Sequence, residues 1–187
     1  LADTNGDDRA DHREVVLSGF GTGDTHQNIN SFTWSPGGEL LFCQGLHNFS
    51  RVETPWGIVR MNEHGVWRLR PHRMQLHAFR GCSGQNPWGL SHGHWGQPFA
   101  KSNGNAVSEL IPVMVHTENR HPPLDIGGTR IKSMICEIID SPALPDDLQG
   151  NIVIAGYFAH LIDRLKITSD GAGPVSYTHL TLPTSYA

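Results

Sequence analysis

The sequence predicts an all-β fold, organised as about three blades of a β-propeller. Three observations carry this. The 187 residues include 21 glycines and 12 prolines, well above the usual combined share of ~12%, so the chain turns often and favours short strands. No segment sustains a 3.6-residue apolar period, so helices longer than two turns are not expected. A glycine turn followed by a short apolar strand occurs three times, at residues 38–45, 96–103 and 150–156. The starts are roughly 55 residues apart, near the length of one propeller blade.

The elements follow in order. Asp3, Asn5, Asp7 and Asp11 stand at positions 1, 3, 5 and 9 of an EF-hand-like loop, with Glu14 at position 12. Hard oxygen donors at this spacing wrap one Ca²⁺. Position six is Asp8, not glycine, and Glu14 to Phe20 reads as a strand, not a helix. The alternatives are therefore a Ca²⁺-stapled turn between strands and an acidic turn held by Asx hydrogen bonds. The first two glycine-led runs each follow an aromatic run, Phe32 to Ser35 and Pro87 to Leu90. Two hairpins are expected. Gly57 to Met61 returns as Val66 to Leu69, and Asp163 to Ile167 meets the turn Ser169-Asp170-Gly171. Each unit then reads as four short antiparallel strands. A β-sandwich is the alternative that uses the same hairpins without requiring the repeat. A propeller needs at least four blades, so residues 1–174 read as part of a ring. Val175 to Ala187 carries no charge and resembles a sequencing adapter read through as coding DNA. It reads as a non-native tail that packs poorly on the blades.

Composition excludes several classes. Lys and Arg total 14 against 18 Asp and Glu, a net charge of −4, and no basic run suggests a nucleic-acid partner. No apolar stretch reaches the ~18 residues of a transmembrane helix. Cys43, Cys82 and Cys136 form no CxxC or CxxCH, so neither a zinc thiolate pair nor a c-type haem attachment lies in this segment.

In a propeller, the innermost strands line a central channel, and the loops entering them shape one mouth. That places Asp24 to Asn28 before the first inner strand and Gly84 to Gly89 before the second. His26 is the group whose ordinary titration range suits a proton acceptor near neutral pH, with Asp24 beside it to orient the ring. His92 and His94 would chelate a metal on a strand, but their glycine-rich surroundings read as a turn. His116, Glu118, His121, Arg120 and Arg130 border an extended Pro122-Pro123 loop and reach either the mouth or solvent. The tryptophans Trp34, Trp56, Trp67, Trp88 and Trp95 read as packing residues more than sugar platforms.

The run from His26-Gln27-Asn28 through Phe32-x-Trp34-x-Pro36-x-Gly38-x-Leu40-x-Phe42, then Gln85-Asn86-Pro87-Trp88-Gly89-Leu90, resembles the propeller of membrane-bound dehydrogenases. These are related to the soluble glucose/sorbosone dehydrogenases that use pyrroloquinoline quinone (PQQ). The Asp-rich start and Leu144-Pro145-x-x-Leu148-x-Gly150-Asn151 share the resemblance, which spans residues 3–174. It implies a six-bladed propeller in an exported or periplasmic protein, often joined to a c-type haem domain outside this segment. It also implies oxidation of a sugar or alcohol, with hydride passing to the quinone and electrons to that cytochrome domain. His26 stands where the family's general base stands. Asn28, Gln85 and Asn86 fall at the cofactor side, with Gln85 at a position the quinone enzymes fill with arginine. Quinone carboxylates favour a guanidinium fork. The alternatives are a non-catalytic propeller that binds carbohydrate or protein, and a Ca²⁺-dependent lactonase-type propeller.

Overall fold

The computed structural model describes residues 1–79, 85–102, 104, 106–110, 125–129, 133–156, 160–170 and 173–183. The strands are β1 (Asn30–Trp34), β2 (Leu40–Gln44), β3 (Phe49–Thr54), β4 (Gly57–Asn62), β5 (Gly65–Arg70), β6 (Gln75–Phe79) and β7 (Pro87–His92). They continue as β8 (Pro98–Ser102), β9 (Ala106–Glu109), β10 (Asp125–Gly128), β11 (Met134–Ile138), β12 (Ile152–Gly156), β13 (Leu161–Asp170) and β14 (Gly173–Pro183). The fold is all-β. Three antiparallel sheets of four strands run in the orders β1-β2-β5-β6, β7-β8-β9-β10 and β11-β12-β13-β14, and β3-β4 forms a separate hairpin. None of the sheets is closed. Helical structure among the described residues is confined to three 3-10 turns, Thr25–Gln27, Pro71–Arg73 and Asp146–Leu148. No helix among them is long and apolar enough to cross a membrane.

The three glycine-led runs become β2, β8 and β12, the second strand of each sheet. The strand alternation sets what each face meets. Leu41 and Cys43 of β2, with Val66 of β5, pack on Leu90, Ala100 and Leu110, joining the first sheet to the second. Phe42 and Trp67 point the other way, onto Val52 and Met61 of the hairpin. Phe99, Val107 and Ile126 of the second sheet meet Cys136, Ile152, Ile154 and Leu165 of the third. Cys43 and Cys136 are thus buried thiols; Cys82 lies outside the described residues.

The hairpin β3-β4 corrects one expectation. Gly57 to Met61 does not pair with Val66 to Leu69; β4 pairs with β3, while β5 lies between β2 and β6. The cause is the buried Gln44. Its amide donates to the carbonyls of Asn48 at 3.0 Å and Glu63 at 2.6 Å, the two ends of the hairpin. Its oxygen accepts from the hydroxyl of Ser50 and from Trp67 Nε1 at 3.2 Å. Glu63, at φ 62°, donates its N–H to Asn48 O at 2.8 Å. The chain therefore leaves the first sheet at residue 44, makes the hairpin, and re-enters at residue 65.

Glu14 to Phe20 is not a strand, a second correction. This segment lies across the hairpin edge, where Arg51 N donates to Gly19 O at 2.8 Å and Gly21 N to Ser50 Oγ at 2.8 Å. A side chain at Gly19, Gly21 or Gly23 would collide with the backbone of Arg51, Phe49 or His47. Phe20 reaches Phe42 and Trp67 edge-on, with ring centroids 5.6 and 5.5 Å apart. At the chain's other end, β14 pairs with β13 from Leu161↔Pro183 to Asp170↔Gly173. Asp163 to Ile167 lies in a strand as expected, but Ser169 and Asp170 continue the ladder instead of turning, Gly171 lies outside the described residues, and residues 173–183 do not extend away from the sheets as the tail reading expects. A ladder is built of backbone groups, so its formation carries no information about where the run came from.

One end of the contact between the first two sheets is polar. Arg70 Nε donates to Glu39 Oε1 at 2.5 Å, and Arg68 Nη1 lies 3.7 Å from Glu39 Oε2. Burial, then the charges of Arg68 and Arg70, hold His77 below the ordinary imidazole range. Burial does the same to His92, partly offset by Glu39. Because the folded state binds these protons less tightly than the unfolded state, their contribution is full above the ordinary value of about 6.5 and is lost as pH falls below it.

Two outcomes are expected. Gln44→Leu takes the acceptor from two buried donors, Ser50 Oγ and Trp67 Nε1, and the side-chain bond from the carbonyls of Asn48 and Glu63, and should cost about 3 kcal/mol by urea denaturation, with little change in the slope. The melting temperature should fall between pH 7.5 and pH 5.5, and His77→Gln with His92→Gln should flatten that dependence; an unchanged profile in the double variant would remove the two histidines as its cause.

Candidate functional site

The first strands of the three sheets come together. β7 packs against β1 and β2 and also against β11. Gly89 makes the second approach possible: a Cβ there would stand 2.6 Å from Cys136 N and 3.0 Å from Ile135 Cα. Each of these strands also breaks register. The irregularities fall between Asn30 and Thr33, Pro87 and Gly89, and Met134 and Cys136. Ser31 at φ 54° and Ile135 at φ 58° occupy the left-handed region. For a β-branched residue this is costly, and such strain persists where the surroundings over-determine it. Bulges re-aim side chains.

These side chains line one cleft of about 500 Å³, within the range of small-ligand sites. β1 contributes Asn30, Ser31 and Phe32. β7 contributes Trp88, Gly89 and Leu90, and β11 the residues from Met134 to Glu137. His26 borders it from the first 3-10 turn, its ring 5.6 Å from that of Trp88. Phe32 stacks on Phe42 at 5.2 Å, which ties the cleft wall to the core. Asn30 Nδ2 donates to Asn28 O and Ser31 Oγ to Asn30 Oδ1, both at 2.8 Å.

Among the described residues, the ionisable groups of the lining are His26, the Cys136 thiol and Glu137. Burial by the surrounding walls pushes the Glu137 carboxyl up, and Ser91, whose hydroxyl reaches Oε1 at 3.4 Å, pulls it back down. Among the described residues, no Lys or Arg lines the cleft. Lys101, buried beside Cys136, is pushed down to about 8 by desolvation. Its ammonium is held by the carbonyls of Ser102, at 2.6 Å, and Gly104.

The sequence-predicted residues distribute unevenly. His26 lies in the cleft. Asp24 does not orient its ring: the Asp24 carboxylate caps the 3-10 turn by accepting His26 N at 3.0 Å. Asn28 is partly buried, and Gln85, at the surface, accepts Leu46 N through its carbonyl at 3.0 Å. Asn28, Gln85 and Asn86 are not among the residues lining the cleft. Asp3 accepts backbone N–H bonds from Gly6, Asp8 and Asn5, and Asp11 accepts from Thr4. Asn5 and Asp7 accept from the backbones of Asp7 and Arg9. These bonds hold Asp3 and Asp11 below the usual carboxylate range. Asp8 takes the left-handed φ of 63° that an EF-hand fills with glycine. His92 ends β7 and the turn at residues 93–96 follows, with His94 3.4 Å from Asp140. His116, Glu118, Arg120, His121, Pro122, Pro123 and Arg130 lie outside the described residues.

Sequence reasoning missed Phe32, Ile135 and Glu137, and it misjudged the tryptophans. Trp67 is fully buried, whereas Trp34, Trp56 and Trp95 are exposed and Trp88 borders the cleft. No local signal marks Glu137; the bulges that aim these residues arise where separate sheets meet.

Residues 1–129 match the model of DUF7133, a domain of unknown function. The chain belongs to that family. No curated protein and no solved structure shows significant similarity to it.

Gly89→Ala forces β7 and β11 apart and should cost about 1–3 kcal/mol by denaturation, as overpacking does. Ile135→Gly relieves the left-handed backbone and should stabilise by about 1 kcal/mol; loss of stability in that variant would show that the Ile135 side chain contributes more than the strain costs.

Proposed function

We propose that this chain is a segment of a β-propeller whose central cleft binds a neutral sugar or alcohol. The observation that carries this is the cleft itself, where the first strands of three successive four-stranded meanders meet at matched register breaks. Inner strands side by side around one axis are the propeller arrangement. Phe32 and Trp88 offer apolar faces for a sugar ring, and Asn30, Ser31, His26 and Glu137 offer polar groups for hydroxyls. Among the described residues the lining carries no full-time cation, which disfavours anionic ligands.

A second reading, oxidation of the bound alcohol, is favoured by His26 at the cleft. In it the imidazole takes the hydroxyl proton as the carbinol hydride leaves for a two-electron acceptor, and the alcohol becomes a carbonyl. PQQ as that acceptor is poorly matched. Its three carboxylates need cationic partners, while the described lining offers none and adds the carboxylate of Glu137. No step is derived through it. Nor is Ca²⁺ given a role: the oxygens of the Asp3 to Asp11 loop accept bonds from the loop's own backbone.

The full chain titrated with D-glucose and D-galactose should show a saturable change in tryptophan fluorescence, and Trp88→Ala should abolish it while the protein stays folded. A flat response to both sugars in the wild type would overturn the sugar reading. If dye-coupled alcohol oxidation is found, His26→Gln should lower turnover by ~10²–10⁴-fold at unchanged melting temperature; equal turnover would remove His26 as the base.

A further inference from the structure

We infer that Glu137 makes the cleft selective for neutral sugars over sugar acids. This rests on the sugar reading of the same cleft. Glu137 projects from β11, on a strand whose bulge turns Ile135 to the same cleft. Ser91 fixes it from β7. The Ser91 oxygen accepts Ile138 N at 3.0 Å, which leaves its single O–H to point at Glu137 Oε1, 3.4 Å away. Among the described residues, none donates to the other carboxylate oxygen.

An ionised carboxylate accepts hydrogen bonds only, so what it lacks is a donor. A sugar hydroxyl supplies one. A ligand carboxylate supplies none and brings a second negative charge beside that of Glu137. The other ionisable groups of the described lining are His26 and the Cys136 thiol, which can add only negative charge, and Lys101 holds its side-chain nitrogen on the carbonyls of Ser102 and Gly104. Nothing in the described lining offsets the added charge once the imidazole is neutral.

The test uses the full chain at pH 8, where free imidazole is neutral. D-glucose is paired with D-glucuronate and D-galactose with D-galacturonate, with binding read by calorimetry. The neutral member of at least one pair should bind tenfold or more tightly than its acid. Glu137→Gln should bring the two within about threefold by admitting the acid, and Glu137→Asp, which keeps the charge, should keep the preference. Denaturation curves confirm that each variant is folded. Equal binding of both members by the wild type, or a preference that survives Glu137→Gln, would overturn this inference and leave the sugar site standing. Binding of none of the four sugars would overturn the sugar reading, and the inference with it.

Discussion

The cleft depends on how closely two backbones approach at Gly89. β7 and β11 belong to different sheets, so no ladder hydrogen bond draws them together. What joins them is the burial of Phe99, Val107, Cys136, Ile152 and Leu165 between the two sheets, worth about 25 cal/mol per Å² of apolar area removed from water. Glycine lets that burial run to completion, since any side chain at residue 89 would meet the main chain of Cys136 before the cores had closed. The strands cannot stay regular at such a distance. The register breaks at Met134/Cys136 and Pro87/Gly89 face each other across this contact. The same event that packs the sheets also turns Trp88 and Ile135 into the cleft.

The first sheet is organised by polar bonds in its interior. Gln44 bonds both ends of the β3-β4 hairpin and two side chains besides. A buried amide costs stability unless its partners are in place, and here it is satisfied at both atoms. Such a network discriminates: a hairpin shifted by one residue would strand Gln44 in an apolar core. The hairpin in turn covers the outer face of Phe42 and Trp67, together with Leu17 and Phe20 from the N-terminal segment. Phe32 rests on Phe42, so the network's influence reaches the cleft wall.

This division explains what could be read from the chain. Gly38, Gly96 and Gly150 marked β2, β8 and β12 because a glycine turn and an apolar run are local signals. A strand from Asp163 was legible for the same reason, but its partner β14 was not, because most of that run was read as a non-native tail. The partners of β4 were not, because they are decided by Gln44, thirteen residues before the hairpin's second strand begins. At the site, the position of His26 ahead of β1 followed from the order of loops and strands. The role of Asp24 did not, since an aspartate two residues before a histidine is equally placed to cap a turn, and the turn has an N–H to satisfy. Phe32, Trp88 and Glu137 owe their aim to contacts between sheets, which leave no trace in the spacing of nearby residues.

The charge of the cleft is the last constraint, and it bears on Gln85. An arginine there would suit an anionic cofactor, but here the side chain is neutral and lies outside the cleft lining. Within the cleft Glu137 adds negative charge, with Ser91 Oγ 3.4 Å from one of its oxygens. The two departures point the same way. Losing a cation alone would weaken an anion site, whereas placing a carboxylate in a partly desolvated wall opposes one outright. The electrostatics of the described lining thus favour a ligand that brings hydroxyl donors and no charge, and the aromatic faces of Phe32 and Trp88 suit the apolar side of the same ligand.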